Sequence, residues 1–182
     1  RNHNIWLATE RGVSLAQSNT VQHYIHLSEL VSTGEGNLFT FIHKDSFGDY
    51  WLSGKNGLIH LSNDRDVAWF RTDSEDHPLK HNRVRHVYED SHHDIWIASD
   101  GGVGKYDRKN DRFDYYHIQS VQGDRNANWA YYITEDKFGR IWVASYKGGL
   151  FVCNRKNMDV LYHFSEESGI GNDVYLMQND EN

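Results

Sequence analysis

The chain has 182 residues and a formal net charge of −7, with 19 Lys and Arg against 26 Asp and Glu; this acidity argues against a nucleic-acid partner, whose binding rests on neutralised phosphates. No window approaches the ~18 consecutive apolar residues of a membrane span, no apolar segment opens the chain as an unprocessed signal peptide would, and the lone Cys153 excludes an intramolecular disulfide or a multi-cysteine metal site. One proline, 15 glycines and 14% aromatic residues favour short strands and tight turns over helices.

In chain order, Ile5–Thr9 reads as a strand carrying Trp6, followed across a short turn by Gly12–Leu15 and then by the aromatic run Tyr24–Leu27. Asn37 opens the next stretch, with apolar Phe39 and Ile42, a turn at Asp45, a strand around Trp51, a glycine at Gly57 and an outer strand at Val67–Arg71. The same order returns with Asn82, Val84, Val87, Asp90, Asp94–Ser99 around Trp96, Gly102 and Phe113–Ile118. It returns again with Asn128, Ala130, Ile133, Asp136, Arg140–Ser145 around Trp142, Gly149 and Val160–Phe164. Asn172, Val174, Met177 and Asp180 begin a further copy, for which a strand is expected at Val174–Met177.

Trp6, Trp51, Trp96 and Trp142 are spaced 45, 45 and 46 residues apart. A period near 45 fits both propeller blades and helical repeats. Glycine interrupts every candidate helix, and no segment keeps a 3.6-residue period for a dozen residues. Each unit therefore reads as four strands, A to D: A between Asn and Asp, B with the Trp, C after the Gly, and D outermost. Four-stranded units set radially make a β-propeller. The repeats fall at about 1–36 (partial), 37–81, 82–127, 128–171 and 172–182 of one propeller segment spanning 1–182.

The text NRVRHVYEDSHHDIWIASDGGV, with ITEDKFGRIWVASYKGGL, resembles the two-component regulator propeller repeat. His93 departs from the pattern where a turn glycine is expected. The resemblance implies an all-β fold, about four four-stranded blades forming an arc of a larger, seven-bladed propeller rather than a closed four-bladed ring. It also implies a periplasmic setting, as the sensor half of a membrane-anchored hybrid histidine kinase. Its partners would be the remaining blades, a following β-sandwich, a second copy in a homodimer and an oligosaccharide released from glycans. The other function classes are a protein-contact scaffold and a lyase of the streptogramin B lyase type. No nucleophile elbow, phosphate loop or HExxH motif occurs, so no catalysis, cofactor or metal is expected.

Residues repeated in every copy are expected to be structural: Asp45, Asp90 and Asp136 as turn caps, Asn37, Asn82, Asn128 and Asn172 at the entry to strand A, and the four Trp as core. The informative positions vary between copies. Seven residues before the Asp stand Leu38, Arg83, Trp129 and Asp173; five before stand Thr40, Arg85, Tyr131 and Tyr175. Alternation aims both rows of strand A away from the core, towards the channel mouth. The B–C turns add Arg11, Lys55, Asp100, Tyr146 and Lys147. Rings stack on sugar faces and Arg grips a carboxylate or sulfate. The expected ligand contacts are thus Arg83, Arg85, Trp129, Tyr131, Tyr146, Lys55 and Arg11.

Overall fold

The computed structural model describes residues 5–9, 12–17, 20–26, 39–63, 66–118 and 128–180. They form a three-stranded sheet followed by three four-stranded antiparallel sheets. The first holds β1 Ile5–Thr9, β2 Gly12–Gln17 and β3 Thr20–His26. The second holds β4 Phe39–Lys44, β5 Tyr50–Gly54, β6 Gly57–Leu61 and β7 Val67–Phe70. β8 Val84–Glu89, β9 Ile95–Ser99, β10 Gly102–Asp107 and β11 Arg112–Tyr116 follow. The last sheet has β12 Ala130–Glu135, β13 Arg140–Ser145, β14 Gly149–Asn154 and β15 Val160–Phe164. Each is a meander in sequence order, so the four are called blades 1 to 4. The sheets are open, as in an arc of propeller, with β1 packed beside β4 and β4 beside β8 and so on towards blade 4.

The core lies between blades, because each sheet buries a face against its neighbour. Trp51, Leu58 and Phe70 of blade 2 pack on Val84, Ile95, Tyr106 and Phe113 of blade 3. Trp96, Val103 and Ile118 of blade 3 pack on Ala130, Ile141, Phe151 and Met158 of blade 4. Large rings at fixed phases therefore supply the apolar area that aliphatic-poor strands lack. The Trp51 ring meets Tyr106 of the next blade edge-on at 4.9 Å.

Two expectations need correction. Val174–Met177 forms no strand: among the described residues no second strand is bonded to it beside blade 4, and a lone strand leaves its own ladder unpaired. Trp142 is only half-buried, unlike the wholly buried Trp51 and Trp96, because no sheet among the described residues covers its side of blade 4. Of the outer strands, β15 falls at its expected bounds and β3 starts four residues earlier than expected, while β7 stops one residue and β11 two residues before the expected end.

The invariant polar residues hold these seams. Asp45 Oδ1 accepts the backbone N–H of Phe47 and Asp49, while Oδ2 accepts the Trp51 indole N–H at 3.0 Å. Asp90 repeats this with His92, Asp94 and Trp96, and Asp136 with Phe138, Arg140 and Trp142. Across each seam an arginine from the next blade completes the cap: Arg108 reaches Asp45 and Arg155 reaches Asp90. The Asn side chains close the D–A loops. Asn82 Oδ1 accepts from Thr72 N, Asn128 Oδ1 from Ile118 N and Asn172 Oδ1 from Glu166 N. Asn37 lies outside the described residues.

Candidate functional site

Strand A does not alternate throughout. The pairing of β8 with β9 skips Arg85, between Val84↔Ser99 and His86↔Ala98. The same irregularity sits at Thr40 in β4 and at Tyr131 in β12. A one-residue bulge at the same place in three blades turns an extra side chain out of the ladder. Its sequence signal was the spacing of the core positions, six and three before each Asp: an odd interval cannot keep both on one face of a regular strand.

The bulge places the varied residues at one open cavity of about 410 Å³, lined by Thr40, Lys55, Arg83, Arg85, Tyr131 and Tyr175 among others. These come from the innermost strands of blades 2, 3 and 4, the B–C turn of blade 2, and the segment after blade 4. Trp129 and Tyr146 join through ring contacts: Trp129 to Tyr146 at 4.7 Å, Tyr146 to Tyr131 at 5.9 Å and Tyr131 to Tyr175 at 5.1 Å. Two backbone bonds fix the B–C turns to the starts of the strands, Asp100 N to Arg83 O and Tyr146 N to Trp129 O. Six of the seven expected contacts are thus brought together; Arg11 lies outside the described residues.

Asp100 gives the site its internal order. Its side chain is 8% exposed and accepts from Arg85 Nε at 2.5 Å, with Arg83 Nη1 at 3.8 Å. The Arg85 guanidinium lies over the Tyr131 ring at 4.0 Å. A planar cation held by a buried carboxylate and stacked on a ring is a rigid support. Burial raises the Tyr131 phenol above its usual value, against a lowering from Arg85, so it stays a neutral hydrogen-bonding group. The Trp129 indole N–H is buried with no partner among the described residues.

Sequence reasoning missed the next row. Phe41, His86 and Tyr132 follow the bulge and contact one another across three blades, with ring centroids 4.6 and 3.8 Å apart. Burial first, and the neighbouring His43 second, lower the His86 imidazole to about 4. At the opposite ends of the strands, Asp90, His92 and Glu135 bring possible metal-binding atoms within 4.8 Å of one another. Their oxygens are already engaged: Glu135 accepts from Ser91 N and Oγ, and Asp90 carries the indole, arginine and backbone bonds described above. That arrangement is an inter-blade clasp, matched one seam earlier by Glu89 on Ser46.

No curated protein matches the chain. The family model described as two component regulator propeller matches residues 78–101 and 124–147, which end on strand B and the turn after it in blades 3 and 4. The extracellular domain of BT4673 from B. thetaiotaomicron, described as a one component system in one structure and as a hybrid two component system in another, is 36% identical. It matches over 100% of this chain and 26% of that one, with a TM-score of 0.81. The extracellular domain of BT3049 from the same organism shares the fold at 19% identity, covering 94% of this chain and 21% of that one, TM-score 0.64. Virginiamycin B lyase from Staphylococcus aureus shares it at 11% identity, covering 87% of this chain and 51% of that one, TM-score 0.63. The chain thus spans about a quarter of the extracellular domains it matches. With its 45-residue units folded as four-stranded blades and the repeat text matched in two of them, the chain carries the two component regulator propeller repeat.

Proposed function

We propose that this propeller segment is part of the extracytoplasmic, ligand-sensing region of a hybrid two-component regulator, and that its cavity contacts an oligosaccharide. The observation that carries the reading is the convergence of Arg83, Lys55, Tyr131 and Tyr175 on one opening, at strand-A and B–C turn positions where the repeat varies. Aromatic surfaces flanked by cationic donors suit sugar rings, which offer an apolar face and a hydroxyl edge. The setting is inferred from the extracellular domains that the chain resembles, and among the described residues no helix is long and apolar enough to cross a membrane.

The reading treats the cavity as non-catalytic. General acid–base work needs a titratable pair poised for proton transfer, whereas Asp100 is tied to Arg85. The kinship in fold with lyases is too distant to transfer chemistry. The test is calorimetric titration of the full-length protein with a glycan panel, repeated with Trp129→Ala and Tyr131→Ala. Loss of one ring is expected to weaken binding about ten- to hundredfold while circular dichroism stays unchanged. Undiminished affinity in both variants would move the ligand away from this cavity.

A further inference from the structure

Among the described residues, three cations, Lys55, Arg83 and Arg85, line the cavity, and no carboxylate does. This is a local inversion in a chain whose net charge is −7. Asp100, an acid beside the cavity, is bonded to Arg85. Arg83 Nη1, 3.8 Å from Asp100, is beyond hydrogen-bond distance, and its side chain is 40% exposed. Lys55 is exposed at the rim. Among the described residues, therefore, three cations share one carboxylate: Arg85 is bonded to Asp100 and holds the aromatic platform, Arg83 is ion-paired with the same acid only at 3.8 Å, and Lys55 faces the opening at the rim, which leaves an excess of positive charge there.

From this we infer that the ligand is an acidic saccharide, whose carboxylate or sulfate ester is taken by Arg83 and Lys55 while its ring lies against Tyr131 and Tyr175. The inference rests on the reading of the cavity as a sugar site. A neutral sugar covering this opening would strip water from two cations and return no charge, which is costly. An anion in the same place offsets the excess positive charge, and a guanidinium meets either a carboxylate or a sulfate with paired N–H donors. Arg85 is a positioning residue here: its fork is already on Asp100 and its plane on Tyr131.

The experiment is titration calorimetry on the full-length protein with four probes: trigalacturonate, its carboxyl-reduced neutral counterpart, a sulfated chondroitin disaccharide and its unsulfated neutral-hexosamine counterpart with the uronate reduced. Binding of one or both acidic probes at least tenfold tighter than the neutral match is expected, weakening as salt rises. Binding of trigalacturonate assigns the carboxylate; the chondroitin disaccharide carries both anions, so the sulfate is assigned only if its sulfated, carboxyl-reduced form still binds. Arg83→Gln and Lys55→Gln should each cost about tenfold for the acid and leave the unfolding midpoint in place. Equal binding of acidic and neutral probes, lost with Tyr131→Ala but untouched by Arg83→Gln, would overturn the acidic class and leave the sugar site standing. No binding by any probe would overturn both.

Discussion

The carboxylate of Asp90 accepts four hydrogen bonds: two backbone N–H groups of its own turn on Oδ1, and the Trp96 indole with Arg155 of the next blade on Oδ2. One side chain thereby closes a turn, orients a core ring and joins two sheets. Asp90→Ala would leave the Trp96 N–H buried without a partner and uncap the turn, a loss of about 3 kcal/mol readable in a urea midpoint. Burial alone would raise this carboxyl, but the bonds from Trp96, the backbone and Arg155 outweigh it and hold the group below its usual value. At Asp136 the corresponding bonds, led by Arg140, bring it to about 2. A carboxyl lowered in the fold stabilises above its unfolded value and loses that contribution as pH falls further. His86 acts in an earlier window. Held neutral down to about 4 by burial and by His43, it costs stability as pH drops from 6.5, where the unfolded imidazole begins to protonate. His86→Phe, which keeps the ring between Phe41 and Tyr132, should flatten the decline of stability between pH 6.5 and 4.5, a difference of up to roughly 2 kcal/mol. Parallel wild-type and variant pH profiles would remove His86 from that role.

At the scale of the strand, most of the fold was legible because the repeat prints the same local physics several times. Trp at one phase, Asp six residues earlier and Gly six later set strand, turn and strand without any tertiary knowledge, and β1 and β13 fall where the text puts them. What stayed hidden needed a partner in space. Arg85 could be assigned to the channel side, but its engagement with Asp100 depends on a β8–β9 register that no single strand states. The Phe41–His86–Tyr132 row required noticing that an odd interval between core positions demands a bulge. The extra residue of the fourth copy is likewise absorbed locally: Lys147 takes a left-handed φ of 56°, lengthening the turn so that Gly149 opens β14. Gly149 itself has φ +79°, and an added Cβ would lie 2.2 Å from the Phe164 carbonyl oxygen. Gly102, at the same place in blade 3, has φ +107° but nothing nearer than 3.4 Å. Both substitutions by alanine are strained, at about 1–2 kcal/mol for the backbone alone. Gly149→Ala should cost at least about 1 kcal/mol more, because backbone must move to admit it. Equal unfolding midpoints for the two variants would show that β15 yields freely.

The whole molecule repeats a seam. Between blades 2 and 3, and again between 3 and 4, an arginine reaches back to the Asp cap, a glutamate clasps the following serine, and a Trp is buried by the next sheet. In blade 4, among the described residues, no arginine from a further blade reaches the Asp cap; Arg140 of its own sheet bonds Asp136 instead, at 2.7 Å from Oδ2. Trp142 is half-buried. Part of the next seam is nevertheless assembled. Gly149 N donates to Asn172 O, as Gly57 N does to Asn82 O, and Asn179 Nδ2 donates to the Glu135 carbonyl. A cavity lined by Trp142, Leu150 and Met177 marks the uncovered remainder. In the full-length protein a further blade on this face would bury Trp142 as blade 4 buries Trp96. Trp142→Ala and Trp96→Ala should then destabilise to the same extent, about 3–5 kcal/mol each, when their denaturant midpoints are compared in that context. A Trp142→Ala cost nearer the ~1 kcal/mol of a partly exposed ring would mean that the face stays open to solvent. The arc would then end at blade 4, and the cavity at Tyr131 and Tyr175 would lie at its margin instead of within a continuing ring.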